Sequence, residues 1–392
     1  MYMNRFPLLL LIQLSLLLSC ENDKPISTNH RRIEINLTDA VKFMECSEIM
    51  HLNRFVNLET NEKCLIGGID KVLLVDTFLY VLDREITKSL YVFNDKGRFI
   101  KKLSSQGKGP REYLSLSDVV YDKWMNKLFV LDRGGAKLLV FNLTGDLLDV
   151  VNLDDGYSFL RVLDKDKFVF YSNYTSHKNK QFTISLKNGE IVKAFRDVPP
   201  GQMSYGYSHD VFCKSSDSCL FSLPLDNKIY KISNKDNAVF ASLEFSGKFI
   251  DTIEVKKLPF NEIIKIIRKD TEDKIITQAK DLMLVDHMLY FSFVYLYNEY
   301  SLIYDLKDER VVDCGVLLPD SDHLFIGDRT PVGQTCDELI FTLNPFENMS
   351  RYKRLKSMTD YRAGLKKYQG VFENKNTNQE SNPSLLLFKI NK

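Results

Sequence analysis

Residues 116–153 carry four short apolar runs, LSDVVYD, KWMNKLFVLDR, GGAKLLVFNLT and GDLLDVVNL, each closed by Asp, Asn, Gly or Lys. Runs of that length between turn residues predict strands. Residues 72–103 repeat the unit as VLLVD, TFLYVLDR, EITKSLYVFND and KGRFIKKL. LYVLDR at 79–84 aligns with LFVLDR at 128–133, and LYVFN at 90–94 with LLVFN at 138–142. Four strands recurring every ~40–45 residues are the signature of a β-propeller blade.

The pattern continues through 159–195, 210–245 and 281–317, which predict blades 3, 4 and 5. Blade 6 is read from His323 (HLFIGD) and continues as ELIFTL at 338–343. It is then interrupted by 344–383, and SLLLFKIN near the end of the chain supplies a later strand. One strand is still missing, and RFVNLET at 54–60 can provide it. The expected fold is all-β: a six-bladed β-propeller of four-stranded antiparallel blades over 33–392. Strands from both ends of the chain close the ring and remove its exposed edges. A helical insertion is expected between blades 4 and 5, at 251–280. There Phe260, Ile263, Ile264 and Ile267 have the i, i+3, i+4, i+7 spacing of an amphipathic helix. In the second insertion, 344–383, residues 361–368 are expected to be helical.

This topology assigns sequence positions to faces. The first strand of a blade (a) lines the central channel and the fourth (d) lies outermost. Because neighbouring strands are antiparallel, a–b and c–d turns share one face, and b–c loops and d–a crossings share the other. The latter face collects GKGPREY at 107–113, both Asp-Arg pairs, residues 197–209 and both long insertions. The insertions are expected to form a lid or wall over the channel mouth. Long loops on a rigid scaffold are a common place for binding.

The N-terminus reads as a targeting segment. Asn4-Arg5 precedes an apolar run at 6–18 that is shorter than the ~20 residues a spanning helix needs. The run ends in Leu17-Leu18-Ser19-Cys20, which resembles a bacterial lipobox with Cys20 as the lipidated first mature residue. Residues 1–19 are then a lipoprotein signal peptide and 20–32 a flexible tether. The expected location is the bacterial envelope, at the outer membrane, held by acyl chains alone. The periplasmic and outer faces both remain open.

A net charge of +1 over 392 residues offers no long-range attraction to nucleic acid or anionic lipid. No nucleic-acid partner is expected. A hydrophobic share of 44%, with 26 Phe and 19 Tyr, suits a large β-rich core. Among seven cysteines only Cys213 and Cys219 suggest a pair, against the alternative of two small apolar strand residues.

Here a family resemblance emerges. FVNLETNEKCLIGGIDKV, GKGPREY, the LDR repeats and NPSLLLFKIN together resemble the six-bladed β-propeller lipoproteins of Bacteroidetes, relatives of NHL-type propellers. That family usually shows a G-x-G-P-G-E-Y type pattern, and Arg111 stands where a Gly is common. The resemblance implies a fold and an envelope location, and no characterised reaction.

The candidate binding residues lie on the loop-rich face. Gly107 and Gly109 let backbone N–H groups approach a ligand. Arg111 offers a planar fork for a carboxylate or phosphate, next to Glu112. Tyr113, Tyr205 and Tyr207 offer stacking surfaces. Asp83, Arg84, Asp132 and Arg133 end b strands on the same face. Packing of blades and capping of turns are the structural alternatives for these residues. Asp118, His209, Asp210, Asp281 and His323 begin inner strands and are the weak candidates for a divalent cation or acid–base chemistry. No cofactor is otherwise expected, and no GxSxG, HExxH or EF-hand pattern occurs. Two functions follow. The first is an envelope lipoprotein whose propeller binds a small molecule, glycan, peptide or protein. The second is a cation-dependent lyase or hydrolase at the channel mouth. The missing catalytic motifs favour the first.

Overall fold

The repeat read at 72–103 and 116–153 folds as two consecutive blades of a six-bladed β-propeller. The computed structural model describes residues 30–391, except 174–178, 199–211, 216–217, 235–236, 247–248, most of 250–275, 321–322, 324, 326–329, 359–360 and 374–380. Blade 1 comprises β4 (Lys71–Val75), β5 (Phe78–Asp83), β6 (Ser89–Asn94) and β7 (Phe99–Leu103). Blade 2 comprises β8 (Leu116–Asp122), β9 (Lys127–Asp132), β10 (Lys137–Phe141) and β11 (Leu147–Asn152). Blade 3 holds β12 (Phe159–Val162), β13 (Lys167–Tyr171), β14 (Lys180–Leu186) and β15 (Ile191–Asp197). Blade 4 holds β16 (Phe212–Ser215), β17 (Ser218–Ser222), β18 (Lys228–Ser233) and β19 (Asn237–Glu244). Blade 5 holds β20 (Lys280–Val285), β21 (Met288–Tyr295), β22 (Asn298–Asp305) and β23 (Arg310–Leu318).

Each blade is antiparallel in chain order, and its b and c strands are the most apolar because both of their faces pack on neighbouring blades. Tyr80, Leu82 and Val92 of blade 1 pack with Val119, Val130 and Leu139 of blade 2. In all six blades the c–d pairing shifts register once, a bulge that increases the twist of the outer strand.

Blade 6 closes the ring with both ends of the chain. Its strands are β24 (Gly333–Gln334), β25 (Leu339–Leu343), β26 (Ser384–Ile390) and β3 (Met50–Asn57), in that order. The terminal strand SLLLFKIN and the early strand RFVNLET therefore pair as expected. The inner strand differs from the expectation: it lies at Gly333–Gln334, and His323 belongs to the crossing that precedes it. Blades 6 and 1 approach so closely that a Cβ on Gly333 would sit 2.3 Å from the Val72 carbonyl oxygen. A short strand carrying Gly and Gln has no apolar pattern by which to be read.

The segment before β3 is also ordered. β1 (Arg31–Glu34) adds in parallel to β19, and β2 (Phe43–Glu45) adds in parallel to β23. A single turn, α1 (Cys46–Ile49), leads on to β3. The chain thus runs as a belt round the outer edges of blades 4 and 5 into blade 6. Ile33, Ile35, Met44 and Cys46 are its buried anchors. The fold begins by Arg31, inside the stretch read as tether.

The insertion of blade 6 contains α2 (Pro345–Lys356), α3 (Arg362–Lys366) and α4 (Gln369–Phe372). Tyr352, Leu355, Leu365, Tyr368 and Phe372 pack on Met44, Ile49 and Phe325, in the groove between blades 5 and 6. The described part of this insertion therefore seals an outer groove and does not roof the channel. Of the insertion between blades 4 and 5, Asn261, Glu262 and Lys265 are helical. Phe260, Ile263, Ile264 and Ile267 lie outside the described residues.

Candidate functional site

The two aspartates of the LDR repeats bind backbone. Asp83 is fully buried and accepts Gly67 N–H at 2.8 Å, Gly68 N–H at 3.1 Å, Ile86 N–H at 3.0 Å and Thr87 Oγ1 at 2.8 Å. Asp132 likewise accepts the N–H groups of Leu114, Ser115 and Gly135. Each carboxylate ties the crossing that enters its blade to the b–c loop of the same blade. That satisfies groups that would otherwise be stranded next to the core.

The loop at 107–113 is closed on itself. Glu112 accepts the Gly109 N–H at 2.8 Å, and a Cβ on Gly107 would lie 2.0 Å from Glu112 Oε2. The glycines make room for Glu112. Arg111 is exposed and donates to the Leu147 carbonyl at 2.8 Å. Tyr113 is 3% exposed, packs in the core between blades 1 and 2, and donates to the carbonyls of Lys88 and Leu103. Burial raises its phenol pKa. The expectation of a stacking ring at Tyr113 is thus corrected: its ring is spent on blade packing.

The two arginines of the repeats diverge. Arg133 is exposed on the rim. Arg84 turns inward, donates to Asp70 at 3.0 Å and lies 5.7 Å from the Phe159 ring centroid. There it lines a cavity of about 680 Å³ to which the inner strands of all six blades contribute. Val119, Val162, Leu282 and Val332 give this channel mostly apolar walls.

Its mouth is a charged network. Asp118, 1% exposed, pairs with Lys71 of blade 1 at 2.6 Å and with Arg161 of blade 3 at 3.0 Å. It also accepts the Leu160 N–H at 2.9 Å. Arg161 donates onward to the Phe212 carbonyl of blade 4 at 3.2 Å. Asp281 accepts from Ser292 Oγ at 2.6 Å. On the opposite side Gln334 forms two hydrogen bonds with the Leu284 backbone, at 3.0 and 2.7 Å, as a strand neighbour would. The a–b pairing shifts register at Asp118 and at Asp281, and such bulges re-aim side chains. The network holds its groups in fixed positions in a low-dielectric setting, where hydrogen bonds are strong.

Among the described residues the cation candidates Asp118, Asp281 and His323 do not come together. Both oxygens of Asp118 already face a cation. His323 is remote from the channel, beside Leu52 and Phe388. Among the described residues no three His, Cys, Asp or Glu groups are placed to hold a metal ion. Tyr205, Tyr207, His209 and Asp210 lie outside the described residues. Cys213 stands opposite Leu220 and Cys219 opposite Lys214, so the two thiols point to opposite faces of blade 4 and form no disulfide with each other. Sequence reasoning missed Asp70, Lys71, Arg161 and Gln334. Arg161 was within reach, since its place in FLRVLD is that of an inner-strand start. On the rim of this face Ile86 is 66% and Tyr297 70% exposed.

The sequence profile of a domain of unknown function, DUF4934, matches residues 32–389. A crystal structure of a Bacteroides fragilis protein, described as exported, superposes with a TM-score of 0.72 at 20% identity, covering 92% of this chain and 99% of that one. A member of the DUF4221 family from Bacteroides vulgatus superposes with a TM-score of 0.53 at 9% identity, covering 88% and 98%. These likenesses concern the fold. No curated protein matches the chain.

Proposed function

We propose, for a chain that belongs to the DUF4934 family, that the propeller is a binding module whose ligand enters the channel on the loop-rich face. The observation that carries this reading is the mostly apolar cavity shared by all six inner strands, with Arg84, Arg161 and Asp281 fixed at its mouth. Binding sites combine apolar walls with a few placed polar groups in this way. A carboxylate or hydroxyl-rich ligand, such as a small molecule, glycan or peptide, can exchange for the carboxylates that the two arginines now hold. Exposed Ile86 and Tyr297 give a partner apolar purchase on the rim. The test is a thermal-shift screen of the mature protein against glycans, short peptides and divalent metals. A stabilising hit whose binding by calorimetry weakens in Arg161→Gln supports the reading, and a hit indifferent to that change opposes it.

The module is held to the envelope by lipid on Cys20. No helix among the described residues is long and apolar enough to cross a membrane. Cys20→Ala moves the protein from the membrane to the soluble fraction. An unmodified N-terminus at or beyond residue 20, found by mass spectrometry of the native protein, rules the anchor out.

A further inference from the structure

We propose that the outer edge of blade 2, strand β11, takes an extended segment of a partner protein. The segment adds parallel to β11 and places a lysine or arginine on Asp149. The fold carries its own precedent, since β1 and β2 are extended segments added in parallel to the outer strands of blades 4 and 5. On blade 5 the added strand is keyed by charge. Lys42, just before β2, pairs with Asp313 of β23, and its carbonyl accepts the Val316 N–H at 2.8 Å. Met44, two residues on, is fully buried.

The register shift common to every blade aligns the outer strands. Asp313 lies opposite Ile303, next to the shift of blade 5, and Asp149 lies opposite Val140, next to the shift of blade 2. The two carboxylates behave alike toward their own strand: Asp313 accepts the Cys314 N–H at 2.7 Å and Asp149 the Val150 N–H at 2.8 Å. Blades 1 and 3 carry Lys101 and Lys193 at this position. A lysine on an outer edge opposes strand addition. Among the described residues no strand is added to the outer strands of blades 1 to 3, and of these three blades blade 2 carries the acidic key.

The rest of β11 suits an added strand. Leu148 is 46% exposed, and Leu147, Val150 and Val151 are half-buried. Arg111 occupies the Leu147 carbonyl, so the open run starts at Asp149. Val151 stands where blade 5 has Gly315, whose added Cβ would meet Met44 at 2.8 Å. Blade 4 has Leu243 there and still pairs with β1, from Ala241 to Glu244. A side chain at that place therefore displaces the added strand and does not exclude it. Backbone pairing would supply affinity, and the charge together with an apolar residue two positions on would supply selectivity.

The probe is the belt's own sequence as a free peptide, AVKFME (residues 40–45), added to the full mature chain. Hydrogen exchange is expected to slow at residues 149–153. Asp149→Lys should weaken the peptide about tenfold, equivalent to ~1.4 kcal/mol, with an unchanged melting temperature, and AVEFME should regain binding to that variant. Three results overturn the proposal: no protection at β11, equal binding by wild type and Asp149→Lys, or protection confined to β7 or β15. Protection of β11 before peptide is added, in a particle of twice the mass, assigns the edge to a second copy and overturns it as well.

Discussion

The imidazole Nε2 of His323 accepts the Leu52 N–H at 3.1 Å. The crossing from blade 5 to blade 6 thereby grips the N-terminal strand that completes the ring. Asp320 adds to the grip by accepting the Ser47 N–H at 2.6 Å. His323→Leu leaves a backbone donor stranded beside the core and is expected to cost ~1–3 kcal/mol. His323→Gln, which keeps an acceptor, should recover part of that loss in urea unfolding. Equal stability of all three proteins would show that the contact contributes nothing.

Closure itself is tested by removing residues 384–392. β26 pairs with both β25 and β3, so its loss leaves Leu339–Leu343 and Met50–Asn57 with open edges. Aggregation and a large fall in melting temperature are expected. A soluble truncation that melts like the intact chain would contradict the ring.

Asp118→Asn should be the most damaging single change at the channel mouth. It removes one carboxylate from between Lys71 and Arg161, leaving two largely buried cations. Breaking a buried pair in this way costs ~3–5 kcal/mol. Arg111→Ala, on an exposed side chain, should change stability by less than ~0.5 kcal/mol. Tyr113→Ala empties a core site and should cost ~3–5 kcal/mol, as large aromatic truncations do. Chemical denaturation of the three variants checks the order.

Glu373 gives a pH-dependent contact. Hydrogen bonds from Lys356, Gln369 and Tyr352 lower its pKa to about 2, below its ordinary 4.5. A carboxyl whose folded pKa is depressed stabilises the fold above its unfolded value, and that contribution is lost as pH falls through the folded one. The link between α2 and α4 should therefore weaken between about pH 4.5 and 2. Limited proteolysis of the insertion should rise over that window in the native chain, and Glu373→Gln should remove the pH dependence. A pH profile unchanged by the substitution would refute the assignment.

Blades 1 and 2 were legible because their apolar runs repeat almost residue for residue. Blade 6 was legible at β25 and β26 and misread at its inner strand, where Gly333 and Gln334 act through closeness and a side-chain amide and leave no hydrophobic pattern. The belt was missed because β1 and β2 are short and bury only alternate residues. α2 was not read from the sequence; it starts at Asn344-Pro345, whose Asn side chain accepts the Phe346 N–H at 3.0 Å. At the site, the LDR and GKGPREY motifs drew attention because they repeat or stand out, and their conspicuous groups serve the backbone. The channel network draws single residues from separate blades, which no local motif records.

The most direct test of the channel as binding site is calorimetric titration of one ligand from the thermal-shift screen into the wild type, Arg84→Gln, Asp281→Asn and Arg111→Ala. The channel account predicts that Arg84→Gln and Asp281→Asn each weaken binding tenfold or more, about 1.4 kcal/mol, while Arg111→Ala binds as the wild type does. Full affinity in both channel variants, with loss in Arg111→Ala, would contradict it.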